Sequence, residues 1–224
     1  MFPLLLLFAT LPLISVRLDG QDQGGAATKD EATELDLSVE FERLKSRYAN
    51  DRENWSIEGH RLLRQGVPKS RLPKHPGFEF QPSFRELAER GSADARLWMV
   101  QNPSFHGETK EARRIVLRRW FLALVRENAN AGIMGEVIEE LGDSRRRLGE
   151  EFVLSTLEEL SERSQNPEFI AASLFHRAWL LSEGMATEDA ERRTAALELL
   201  SVIVLGYPDS VEAAKAAGIV YNVE

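Results

Sequence analysis

Apolar positions follow a helical rhythm along most of this chain. Leu37, Phe41, Leu44, Tyr48 and Trp55 fall on one stripe, with Glu40, Glu42, Arg43, Lys45 and Arg47 on other faces. The stripe predicts an amphipathic helix over 37–55, running on toward Ile57, Leu62 and Leu63. Between Gln65 and Gly77 the pattern breaks at Pro68, Pro73 and Pro76, each of which fixes φ and lacks an amide donor. Two short helices are expected next, one from Pro82 to Arg90 and one capped by Ser92 and running through Gln101. Asn102-Pro103 marks a turn, after which Thr109 caps a longer helix to about Asn128. On it Val116, Trp120 and Leu124 share one face and Leu117, Phe121 and Val125 the next. Arg113, Arg114, Arg118 and Arg119 are expected on the opposite, solvated face.

Gly132 to Leu141 predicts a short helix with Ile133, Val137, Ile138 and Leu141 inward, ended by Gly142. Asp143 or Ser144 should cap the following helix, whose stripe is Leu148, Phe152, Leu157 and Leu160. Arg145, Arg146 and Arg147 near its start oppose the helix dipole, so pairing with Glu150 and Glu151 is the expected compensation. Asn166 then reads as an N-cap with Pro167 at the first helical position. Ile170, Leu174 and Leu181, beside Ala171, Phe175 and Ala178, give that helix two apolar faces and hence a need for two neighbours. Gly184 is the expected stop and Thr187 the cap of a helix carrying Ala190, Leu197, Leu200, Ile203 and Val204. Gly206 is expected to end it in a left-handed conformation, with Pro208 blocking continuation. Asp209 and Glu212 have capping-box spacing and open a last helix through Ala213, Ala217 and Tyr221. β-branched runs are short, and Val202-Ile203-Val204 lies inside a helical pattern. The fold class is therefore all-α, built of antiparallel helix pairs.

Gly184, Ala196, Leu200 and Pro208 fall at the offsets of the glycine, alanine, large apolar residue and proline of a tetratricopeptide unit, which this stretch resembles. Leu180 and Thr187 stand where that unit usually has tryptophan and tyrosine. A wider run covers Ala178-Trp179-Leu180, Leu197-Glu198-Leu199-Leu200 and Tyr207-Pro208-Asp209-Ser210. It is similar to the helical region ahead of the thioredoxin-like domain in some exported bacterial thiol-disulfide oxidoreductases. Phe84-Arg85-Glu86-Leu87-Ala88 and Ala95-Arg96-Leu97-Trp98 are the upstream residues to which the likeness extends. The resemblance implies a tetratricopeptide-like or irregular helical array, serving beside a redox domain. The Cys-x-x-Cys of those enzymes is absent.

Composition narrows the functional classes. The 224 residues are 43% hydrophobic and 29% charged, as in a globular protein. A net charge of −8 supplies no excess of cations for phosphates, so no nucleic-acid partner is expected. With no cysteine, disulfides, thiolate nucleophiles and cysteine metal sites are excluded. Met1 to Val16 is apolar but shorter than the roughly 20 residues a bilayer span needs. It reads as the core of a signal peptide over 1–20, with cleavage expected between Ser15 and Ala27. A flexible leader over 21–34 and a helical domain over 35–224 follow, with a sub-boundary at the 65–77 linker. The expected location is periplasmic or secreted, without a stable membrane span.

Candidate chemistry is sparse. His60, His75, His106 and His176 form no helical metal-ligand pair. The neighbours Glu139-Glu140, Glu150-Glu151 and Glu158-Glu159 diverge around a helix instead of converging on a substrate. No serine elbow, phosphate loop or dinucleotide fingerprint occurs. Tyr48 and Trp55 read as core aromatics in preference to a ligand platform, and Lys69, Arg71, Lys74 and His75 as a solvated connection in preference to a docking patch. No catalytic, cofactor-binding or metal residue is assigned, and no enzymatic activity or cofactor is expected. The reading is an exported helical interaction or scaffold module with a protein partner, either a separate thioredoxin-like domain or a second copy, touching the Val211–Glu224 end. The alternative is the accessory helical part of a split or truncated thiol-disulfide oxidoreductase, for which a neighbouring reading frame with Cys-x-x-Cys would speak.

Overall fold

The computed structural model describes residues 29–107, 109–182 and 188–223. Among them are ten α-helices and no strand. They are α1 (Lys29–Arg64), α2 (Gly77–Glu89), α3 (Ala93–Gln101), α4 (Lys110–Glu127), α5 (Met134–Asp143), α6 (Arg145–Leu148), α7 (Glu150–Arg163), α8 (Pro167–Ser182), α9 (Ala190–Gly206) and α10 (Val211–Val223). The all-α class holds. Helices of 4 to 36 residues make an irregular array. Short connections join neighbours that pack directly, α7 to α8 and α9 to α10, which makes each pair antiparallel.

α1 is one helix through the whole 37–55 stripe and beyond, and it starts at Lys29, inside the segment read as leader. Its aromatic side chains anchor the first apolar cluster. Phe41 meets Phe84 edge-on at 5.8 Å, and Tyr48 meets Trp98 edge-on at 5.6 Å. Phe84 in turn stacks on Trp98. The 65–77 connection folds back onto α1, where Trp55 Nε1 donates to the Pro73 carbonyl at 2.8 Å. Residues on both sides of it feed the same cluster.

Three helix boundaries differ from expectation for local reasons. α2 starts at Gly77 and takes Pro82 inside it. Gly77 sits against the Phe105 ring, which a Cβ would approach to 2.2 Å, so only glycine lets the helix begin there. The helix expected to run from Ser144 through Leu160 is cut in two at Gly149, whose φ of +88° no L side chain adopts cheaply. α9 runs through Gly206 without a left-handed residue, and Tyr207 caps it by donating its amide to Ile203.

Two caps also differ. Asp189 opens α9, its side chain accepting from the amides of Glu191 and Arg192. Gly184 and Thr187, the expected stop and cap, lie outside the described residues. At α10 the Ser210 hydroxyl accepts from Ala213 at 3.0 Å, in place of the expected Asp209. Ser210 sits three residues before that amide, the register a hydroxyl cap needs.

α8 reaches both apolar clusters, though not by the two faces expected of it, since Ile170, Leu174, Leu181, Ala171, Phe175 and Ala178 all pack in the second. Leu180 belongs to the first cluster, and Phe169 and Ala172 pack against it. Ala171, Leu174 and Ala178 join Ala196, Leu200, Ile203, Ala213 and Ala216 in a second cluster with α9 and α10. The helix is thus the wall common to both cores, and its neighbours include α5, α7, α9 and α10.

The cap assignment predicts a simple contrast in stability. Ser210→Ala should cost about 1 kcal/mol in denaturant unfolding, while Asp209→Ala should stay within about 0.5 kcal/mol of the parent. The opposite order would return the cap to Asp209.

Candidate functional site

Two of the arginine runs of the sequence, Arg113-Arg114 and Arg145-Arg146-Arg147, meet in space. The cause is local. The turn at Gly149 ends α6 after one turn and leaves the Leu148 carbonyl without a helical partner. Arg118 of α4 donates to that carbonyl and lays its guanidinium over the Phe152 ring at 4.8 Å. α6 is thereby held against the N-terminal half of α4.

Between them lies a cleft of about 530 Å³ lined by Pro103, Ser104, Lys110, Glu111, Arg113, Arg114, Leu117, Arg146 and Arg147. Five cations face one carboxylate there, on a chain whose net charge is −8. Arg114 pairs with Glu111 at 2.8 Å and Arg147 with Glu140 at 3.3 Å. Lys110, Arg113 and Arg146 have no ion-pair partner among the described residues. Leu117, 1% exposed, supplies an apolar floor. The first turns of α4 border this cleft, and Thr109 caps the helix through the Ala112 amide. The lining holds no histidine and its single carboxylate is paired, so it is equipped to bind and orient an anion.

A second cleft of about 800 Å³ lies on the other side of α6, lined by Glu139, Gly142, Asp143, Arg145, Arg146, His176, Trp179 and Leu180. Arg146 borders both clefts. Trp179 is 51% exposed, although the residues on either side of it in sequence are buried. Arg145 pairs with Glu150, as expected, whereas Arg147 turns to Glu140 instead of Glu151. Burial pushes the Glu140 carboxyl above its ordinary range, against the pull of Arg147 and the Ser144 hydroxyl.

The remaining candidates are scattered. Tyr48 is buried in the first core, whereas Trp55 is half-buried outside that cluster, against His75 and the Pro73 carbonyl. His60 is exposed and bonds the Ser56 carbonyl. His75 lies between Trp55 and Phe105 and accepts from the Gly77 amide. His106 is buried and bonds the Met99 carbonyl. Among the described residues no group of three or more acidic or histidine side chains is arranged to hold a metal. Nor is any described helix long and apolar enough to cross a membrane. Val202, Leu205 and Val211 form an exposed apolar edge at the α9–α10 turn.

Of the four arginines expected on one solvated face of α4, only Arg113 and Arg114 line the cleft. Arg118 turns inward, and Arg119 lies over Trp120 and reaches Glu89. The usable signal was the run Arg145–Arg147 at a position where the helix dipole disfavours it. The chain matches no known protein family, no curated protein and no solved structure. The tetratricopeptide and thioredoxin-associated resemblances therefore rest on the quoted residues alone.

Three histidines share one electrostatic signature. Burial lowers the pKa of His75, His106 and His176 below 6.5, reinforced by Arg52 at His75 and opposed by the bond to the Met99 carbonyl at His106 and by Glu139 at His176. The unfolded chain then binds more protons than the native one below that value. The stability held by the neutral rings is complete above about pH 6.5 and is lost as the pH falls toward the native pKa values. Unfolding free energy should therefore decline between about pH 7.5 and 5.5, and His106→Gln should flatten the decline. A stability that rises over this range would contradict the assignment.

Proposed function

We propose that this chain is an exported helical interaction module whose basic cleft between α4 and α6 holds an acidic segment of a partner protein. The observation that carries the reading is the convergence of Lys110, Arg113 and Arg146, which pair with no carboxylate among the described residues, over an apolar floor on an otherwise acidic chain. Unpaired guanidinium groups favour carboxylates, which they bind in a planar fork. An acidic protein segment suits the site better than a nucleic acid, because the negative charge over the rest of the chain repels a long polyanion while a short segment contacts only the cleft. Export is supported by the apolar Met1–Val16 run and is read by N-terminal sequencing of the mature chain, expected to begin between residues 16 and 28. If the partner is a separately supplied thioredoxin-like domain, as the resemblance implies, it would present the acidic segment to this same cleft.

The test is the affinity of a labelled peptide carrying six consecutive glutamates, measured by fluorescence anisotropy at two salt concentrations. The parent chain should bind it in a salt-sensitive manner. Arg113→Glu combined with Arg146→Glu should weaken binding at least about tenfold, while Leu205→Ala should leave it unchanged. Unchanged affinity in the charge-reversed chain, or tighter binding of a DNA duplex than of the peptide, would overturn the proposal.

A further inference from the structure

Resting on that reading, we infer that the cleft beside α8 extends the same site and that Trp179 receives a neutral aromatic side chain of the acidic segment. Arg146 stands on the one-turn helix between the two clefts and borders both, so a bound segment reaches the second cleft by crossing it. Trp179 lies next to Leu180 in that second lining, with 51% of its surface in solvent. A half-exposed indole beside a buried leucine is an unfilled apolar contact, the kind of position where interface energy concentrates.

The charges give the segment a direction. On the α4 side the lining is cationic. On the α8 side Glu139 and Asp143 face the cleft, and Arg145 is already paired with Glu150. Carboxylates of the ligand are favoured on the first side and repelled on the second. A segment that ends its acidic run at Arg146 and places an uncharged aromatic ring against Trp179 satisfies both. The aromatic pair itself contributes on the order of a fivefold gain in affinity, the middle of a range of about two- to twelvefold.

Two peptides of equal charge test this on the full chain: a glutamate run followed by two glycines and phenylalanine, and the same peptide ending in alanine. The parent chain should bind the phenylalanine peptide about fivefold more tightly. Trp179→Ala should erase that preference and leave the alanine peptide's affinity unchanged, whereas Trp179→Phe should keep the preference. Arg146→Gln should weaken both peptides. Equal affinities of the two peptides for the parent, or a preference that survives Trp179→Ala, would overturn this inference while leaving the basic cleft standing. Binding of neither peptide would refute the basic cleft itself, and the extension with it.

Discussion

A protein made of short helices has many helix ends, and every end leaves carbonyls that must be bonded. In this chain arginines from neighbouring helices meet part of that demand. Arg96 on α3, 4% exposed, donates to the Ala88 carbonyl near the end of α2 at 2.9 Å and to the side-chain Oδ1 of Asn128, which caps α4, at 2.6 Å. Its ion pair with Glu127 completes the contact. Arg118 does the same for the Leu148 carbonyl at the end of α6. Arg192 on α9 reaches the Leu180 and Leu181 carbonyls at the end of α8, at 3.1 and 3.0 Å, while pairing with Glu150 of α7 at 2.6 Å. A guanidinium suits this role because its charge complements the helix dipole and its donors fork across more than one acceptor.

Arg96, Arg118 and Arg192 are committed to carbonyls at helix ends, and Arg96 and Arg192 also to carboxylates of neighbouring helices. Lys110, Arg113 and Arg146 have no such commitment, yet they lie close together because Arg118 fastens α6 to α4. The site therefore depends on the fold through one contact. Gly149 turns the chain, the turn frees the Leu148 carbonyl, Arg118 takes that carbonyl, and the two arginine runs come to face one cleft.

How much of this was legible in the sequence depended on whether the cause was local. Periodicity is local, so the stripes Leu37–Tyr48, Leu117–Val125 and Leu148–Leu160 carried the helical class and part of the core, while Phe169, Ala172 and Leu180, which join α8 to the first cluster, lay outside the faces read from its spacing. Boundaries set by packing were not legible. Nothing near Gly77 in sequence shows that the Phe105 ring will lie against it, and Gly149 between Leu148 and Glu150 offers no break in the apolar spacing. The cleft was hidden for the same reason. Each arginine run, read on its own helix, looked like a solvated face; their joint meaning arises only when residues about thirty positions apart share a lining.

The proposed binding site is where α4 meets α6, not the exposed apolar edge of α9 and α10. Hydrogen exchange of the full chain with and without a saturating acidic peptide distinguishes the two. Exchange should slow over residues 110–117 and 145–149, with residues 199–220 unaffected. Slowed exchange confined to 199–220, with the α4 and α6 amides unchanged, would contradict this placement.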